Sequence, residues 1–507
     1  MFAQTAQTAS DAAVFVGPTI DWFALSPLLI LVGGGLVLMV ASALSYGKWI
    51  KGAFAFATAT IAGASGTMAI ILWHKVNDGG PRNLAKGALA LDGFSIFVTL
   101  IICSAVLLTA LFLDDYLRRE DLDGVELYAL MLMSASGAVI MAMATDMVVL
   151  FLGLEILSIA LYVMAASHLK RIDSQESGIK YFVLGGFSSA FMLYGIALIY
   201  GATGSTNFHK IVAFFRGNVI LENGLLMAGM ALLLVGFAFK IAAAPFHSWA
   251  PDVYQGAPSP VTGFMASAAR AAAFAAMLRV FVILFATHVR DWRPAVLVLA
   301  ILTLVVGSFL AVVQTNVKRM LAYSSVSHAG FMLVGLHAAS PTGTAGMLFY
   351  LFAYAIVVLG SFGCVTLIGR TGDADHRLSA YRGLAKERPL LRFVFAIFLL
   401  AQAGTPLTSG FIAKLSVIRA AAENHSYGLA VTAMLCAVVS AFMYLRIVVS
   451  MFMSDSEAGD DAREKIRLPL SASVGLAAAV GFTVLAGVFP GWLLDLARHA
   501  LPLALGR

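Results

Sequence analysis

Fourteen apolar stretches run through this sequence, each close to or above the roughly 20 residues that cross the hydrocarbon core of a bilayer. They lie near 23–44, 52–74, 94–113, 127–144, 147–167, 178–200, 225–244, 260–285, 294–313, 319–338, 344–369, 391–422, 428–453 and 469–494. Of the 507 residues, 60% are apolar and 12% are charged, about half the charged share of a soluble domain. A soluble fold would need far more polar surface to cover such a core. The expected fold is therefore an all-α polytopic membrane protein of about fourteen transmembrane helices. The first 20 residues carry no Lys or Arg, so no basic signal-peptide region precedes the first stretch, which is expected to be retained.

Loop charges set the expected orientation. Connections after odd-numbered stretches hold eighteen Lys and Arg, against nine in the even-numbered connections and the C-terminal tail. Basic loops stay cytoplasmic, so both termini are expected on the non-cytoplasmic side. The net charge of +6 follows from the same bias and does not point to nucleic acid.

Two stretches look broken. The seventh reads GFAFKIAAAPFHSWAPD, with Pro245 near its end; the twelfth reads AQAGTPLTSGFIAKLSV, with Gly404, Pro406 and Gly410 in mid-span. Proline removes a backbone donor and clashes with the preceding turn. At membrane depth the freed groups are tolerated only inside protein or beside a water-filled cavity. Two broken helices in corresponding places suggest inverted repeats around an ion path. The expected division is a short segment 1–22, helices 1–3 over 23–126, a first repeat (helices 4–8) over 127–285, a second (helices 9–13) over 294–453, and a C-terminal loop and helix over 454–507.

Charges inside apolar stretches are the most informative residues, because a central one costs roughly 2.5–3.5 kcal/mol to insert. They are Glu155, Lys240, Arg270, Arg279, Lys414, Arg419 and Arg446. Glu155 reads as a proton-binding group, or one that tunes a neighbour; a structural ion pair is the plainer alternative. Lys240 precedes the first break and Lys414 adjoins the second. Loss of water favours the neutral amine of a lysine and a nearby carboxylate favours the ammonium, so moving the carboxylate toggles the charge. Arg270 keeps its proton and would order water rather than carry protons. His328, among Ser324, Ser325 and Ser327, is a candidate relay. His247 and Asp252 flank the first break and line a vestibule or cap a loop. Arg279, Arg419 and Arg446 lie nearer stretch ends, where snorkelling accounts for them.

Cys103, Cys364 and Cys436 lie singly in apolar stretches, without CxxC, and there is neither a dinucleotide-binding glycine unit nor a P-loop. No flavin, haem, iron–sulfur centre or metal is expected in this chain.

The segment FKIAAAPFHSWAPDVYQGAPSPV resembles the signature of the antiporter-like subunits of respiratory complex I, in the form carried by subunit N, the counterpart of mitochondrial subunit 2. LFLGLEILSIALYVM, NVKRMLAYSSVSHAGFMLVGL, YRGLAKERP and AGTPLTSGFIAKLSV extend the likeness from about residue 90 to 455. The resemblance implies a proton-translocating subunit of NADH–quinone oxidoreductase in a bacterial cytoplasmic membrane. FMN, iron–sulfur clusters and quinone would be held by other subunits, and neighbouring membrane subunits would be its partners. It also implies that Glu155 pairs with Lys240 and that Lys414 stands near the exit. At the eighth-helix position the family usually has lysine, and Arg270 departs from it. The alternatives are a cation/proton antiporter subunit of Mrp type, a membrane-hydrogenase subunit, or a passive scaffold; costly charges in mid-membrane argue against the last.

The orientation is tested with a reporter fused to the C-terminus, which should report the non-cytoplasmic side. A cytoplasmic signal there would contradict the charge reading.

Overall fold

The computed structural model describes residues 20–45, 52–122, 124–218, 223–373, 375–382, 384, 388–453, 466 and 468–500. The expected segment 1–22 and the loop from 454 fall almost wholly outside the described residues, as do the loop cations Lys48, Lys51, Lys386, Arg463, Lys465, Arg467 and Arg507.

The chain is a helical bundle. Its helices are α1 Ser26–Ser45, α2 Ala53–Gly79, α3 Gly93–Arg119, α4 Glu126–Met143, α5 Met147–Ala165, α6 Ile172–Thr203, α7 Phe208–Gly217, α8 Gly224–Lys240, α9 Trp249–Gly256, α10 Ser259–Phe264, α11 Arg270–Leu278, α12 Val289–Val313, α13 Val317–Ala338, α14 Pro341–Ile368, α15 Pro389–Ala403, α16 Ser409–Glu423, α17 Tyr427–Met453, α18 Leu470–Val488 and α19 Gly491–His499. Strands Arg82–Leu84 and Leu89–Leu91 form one antiparallel hairpin. Among the described residues, eleven helices are long and apolar enough to cross a membrane. Burial identifies the centre: the apolar window of Pro341–Ile368 is 94% buried and that of Ser259–Leu284 89%, against 22% for Ser26–Leu44.

Polar residues at stretch ends start the helices. Asp92 and Ser95 form a reciprocal capping box at α3. Asp146 caps α5 through Val148 and Val149 N–H, and Asn316 caps α13 through Lys318 and Arg319 N–H. These two caps sit in matching surroundings. Met147 N–H donates to Thr206 O and Phe208 N–H to Thr145 O, both at 2.9 Å; likewise Val317 N–H donates to His376 O at 2.7 Å and Leu378 N–H to Thr315 O at 2.9 Å.

Both expected breaks are present. The first helix stops at Lys240, passes through Ala242 at φ 56°, and restarts at Trp249. The second stops at Ala403, passes Gly404 at φ 91° and Leu407 at φ 67°, and restarts at Ser409. Gly404 takes the left-handed conformation without a Cβ penalty, and Gly410 lies directly against the Ala401 carbonyl, where no side chain fits. The expected last helix, 469–494, is instead two, since the chain leaves helix at Phe489-Pro490. The expected eighth helix is continuous but contains two π-helical turns, Met265–Ala269 and Arg279–Leu284.

Three charges sit differently from the sequence reading. Arg279 does not snorkel: it is 1% exposed, pairs with Asp92 at 2.7 Å, donates to Ala142 O and lies over the Phe94 ring. Arg446 is half-buried and donates to Val312 O and Gln314 O, satisfying carbonyls at the end of α12. Lys318, counted above with the loop cations, is fully buried. Arg419 does reach outward, 73% exposed beside Glu423.

Arg279→Met leaves Asp92 buried without its cation and should destabilise the protein by about 3–5 kcal/mol. Arg419→Met should leave the thermal midpoint in detergent unchanged. Equal midpoints for the two variants would contradict this assignment.

Candidate functional site

Glu155 projects from α5 and is half-buried, accepting a hydrogen bond from Ser189 Oγ of α6. One turn on, Ser158 donates to Leu154 O and accepts from Lys240 Nζ at 2.6 Å. Glu155 and Lys240, expected to pair, each bind a serine hydroxyl, and Ser158 takes the lysine. Residues 155 and 158 fall on one face of α5, so both groups address the same side of the bundle.

Lys240 is the last residue of α8, only 7% exposed, with its ammonium 5.5 Å and 5.4 Å from the ring centres of Tyr162 and Tyr181. Tyr181 stacks on Trp249 at 4.6 Å, and Trp249 Nε1 donates to Phe239 O, a carbonyl at the break that also accepts from Ala242 N–H. Pro245 is exposed and His247 half-buried beside the Tyr323 ring. Asp252, on α9, joins Lys180 at 2.9 Å and Arg319 at 2.7 Å around a cavity of about 170 Å³. Burial works against its charge, yet hydrogen bonds from Lys180 and Arg319 prevail and hold the carboxyl below the usual range. Asp252 thus ties α9 to α6 and α13.

Arg270 is 2% exposed and follows directly on the first π-helical turn. Such turns recur at functional sites because they re-aim side chains. Its guanidinium donates to Ser325 O, to Tyr354 Oη at 3.5 Å and to Tyr254 Oη at 3.4 Å. Ser325 Oγ and Tyr354 Oη are hydrogen-bonded at 2.6 Å. His328, one turn along α13, binds Tyr350 Oη through Nδ1 at 2.6 Å and Tyr444 Oη through Nε2 at 3.0 Å. Tyr444 in turn contacts Ser324 Oγ, which donates to Gln402 Oε1 at 3.3 Å, and Gln402 Nε2 donates to Ser361 Oγ at 2.6 Å. Gln402 neighbours Ala403, whose carbonyl accepts from Lys414 Nζ at 2.9 Å. Lys414 is 6% exposed, its ammonium 5.0 Å from the Phe331 ring centre, while Pro406 at the break is exposed.

Polar groups thus line the bundle from Ser158–Lys240, through Arg270 and His328, to Lys414. Among the described residues no side-chain hydrogen bond joins Lys240 to Arg270; Tyr181, Trp249 and Tyr254 fill that interval. The sequence reading missed Ser158, Tyr350, Tyr354, Tyr444 and Gln402. Tyr350 and Tyr354 are spaced by one turn in a largely apolar helix, a faint signal that they address one face. Among the described residues no group of three His, Cys, Asp or Glu could hold a metal.

Residues 144–441 match the family model described as NADH:quinone oxidoreductase/Mrp antiporter, transmembrane. NADH-quinone oxidoreductase subunit N of Trichlorobacter lovleyi is 40% identical, covering 82% of this chain and 85% of that protein. The subunit N of a Parafrankia species is also 40% identical, covering 99% of each chain. A chain of respiratory complex I from Thermus thermophilus, solved with bound aureothin, is 33% identical with a TM-score of 0.78, covering 93% of this chain and 99% of that one. The chain belongs to the NADH:quinone oxidoreductase/Mrp antiporter membrane-subunit family, among the NADH-quinone oxidoreductase subunit N proteins.

Proposed function

We propose that this chain translocates protons across the bacterial cytoplasmic membrane as a membrane subunit of NADH–quinone oxidoreductase. Electron transfer from NADH through FMN and iron–sulfur clusters to quinone belongs to other subunits, and other membrane subunits of the complex are its partners. The observation that carries the reading is the line of buried titratable and hydroxyl groups between Lys240 and Lys414. An apolar bundle gains nothing from such groups unless they bind or pass ions. The high identity to subunit N proteins favours this over an Mrp-type antiporter.

Fourteen spans arranged as two inverted five-helix repeats, 127–285 and 294–453, complete the proposal. The matching backbone ladders at 145–147 with 206–208 and at 315–317 with 376–378 support equivalent positions in the two halves. Asp21 lies 3.9 Å from Arg82 of the hairpin, and Gly93, just beyond it, packs on His499 and Ala500. The described ends therefore share a face, as an even number of spans requires. The loop charges make that face non-cytoplasmic.

In operation, a proton resides on Lys240, held by Ser158 and by the field of Glu155. Shifting that carboxylate changes how firmly the lysine keeps its charge. Release would cross the aromatic interval to the tyrosine hydroxyls ordered by Arg270, then pass by way of His328 toward Lys414. Arg270 stays charged, so its part is to fix the hydroxyls and any water between them.

Glu155→Ala should lower proton translocation and NADH–quinone turnover together by at least about tenfold, with assembly intact. Glu155→Asp should retain more, since the charge survives with shorter reach. Reconstituted complex, with both rates followed in parallel, decides this; native rates in an assembled Glu155→Ala variant would contradict it.

The same assay separates two readings of Arg270. Arg270→Lys preserves the charge and should translocate near normally, whereas Arg270→Ala loses the ordering of Ser325 and Tyr354 and should fall by roughly tenfold. Near-native rates in both would make the position purely structural.

A further inference from the structure

A second buried ionic cluster lies outside the relay. Asp373, in the connection after α14, is fully buried at φ 42°, a left-handed conformation that few residues adopt. It accepts from Ser259 Oγ at 2.9 Å, His376 Nε2 at 2.7 Å, Arg171 Nη1 at 3.2 Å and Lys318 Nζ at 3.4 Å. Lys318 also donates to Ala257 O at 2.7 Å. The connection is fixed from behind: Glu120 Oε2, itself beside His168 and Arg119, accepts from Gly372 N–H at 2.8 Å.

The two ties that matter run to helix starts. Ser259 is the first residue of α10, whose continuous helical segment carries Arg270; Lys318 lies in the first turn of α13, which carries Ser325 and His328. One carboxylate therefore holds the starting ends of both helices that meet at the Arg270–Ser325 contact. Eleven residues separate Ser259 from Arg270 and seven separate Lys318 from Ser325, or about 16 Å and 10 Å of helix at 1.5 Å per residue. Residues 259–270 are all buried, and 318–325 are buried except at Arg319 and Tyr323; such close-packed helical segments transmit a displacement at one end to the other, because the interior leaves little slack. The contact they bring together is specific: a guanidinium on one backbone carbonyl and two tyrosine hydroxyls. We propose that Asp373 is a positioning residue for the proton relay, clamping the α10–α11 segment and α13 in the register at which Arg270 meets Ser325 and Tyr354.

The inference rests on the relay role given to Arg270 above, and its test keeps the two separable. In reconstituted complex, Asp373→Asn should slow proton translocation by about tenfold, the scale of a misplaced reacting group. Asp373→Glu should recover most of that loss. Because Asp373 acts through Arg270, adding Asp373→Asn to Arg270→Ala should cause no further loss, whereas a merely structural residue would lower the rate again. If Asp373→Asn fails to assemble, Ser259→Ala decides: it removes one tie, changes no charge, and should slow translocation by at least about twofold. Native translocation in assembled Asp373→Asn or in Ser259→Ala, or a further loss in the double variant, overturns the inference. Native translocation in Arg270→Ala alone would instead fault the relay reading on which it stands.

Discussion

Within a bilayer no water reaches the bundle from the side, so every buried polar group must find its partner in the protein. The rest of this structure depends on that constraint. Ordinary helices meet it with their own backbone hydrogen bonds, but the chain breaks two of them. At the first break Trp249 joins Ala242 N–H on the Phe239 carbonyl, and at the second Lys414 answers that of Ala403. The side chains that repair the backbone are thus part of, or packed against, the polar line. Each lysine sits where helix geometry has already opened a place for a charge.

The buried charges divide by the company they keep. Arg279 and Lys318 each have a carboxylate within 4 Å, and Arg279 and Asp92 also satisfy neighbouring backbone groups. Such pairs hold elements together. Lys240, Arg270 and Lys414 instead lean on hydroxyls, carbonyls and aromatic faces. A charge stabilised by neutral groups loses less when it leaves, which suits a group that must give up a proton or reorder its surroundings.

Much of this was legible in the sequence. Long apolar stretches and Pro or Gly in mid-span mark helices and breaks through local rules that need no tertiary information. The charged residues were legible because their cost in lipid makes them conspicuous. What was hidden depends on distant partners. Ser158 and the tyrosines are cheap to bury, so nothing in their own stretches distinguishes a relay hydroxyl from ordinary core. Arg279 looked like a snorkelling end residue because its partner, Asp92, lies in the hairpin region far back in the chain. Lys318 was read as a loop cation because Asp373 reaches it from another connection. Glu155 was expected to pair with Lys240, and only three-dimensional placement puts Ser158 at the lysine.

The account stands or falls on Lys240, the buried cation that meets Ser158 on the Glu155 side of the line. The most direct measurement follows proton translocation and NADH oxidation together in liposomes containing fully assembled complex with Lys240→Ala. The account predicts that both fall together while the complex stays assembled, because the bundle keeps its packing and loses only its proton carrier. Normal proton translocation in that variant would contradict it.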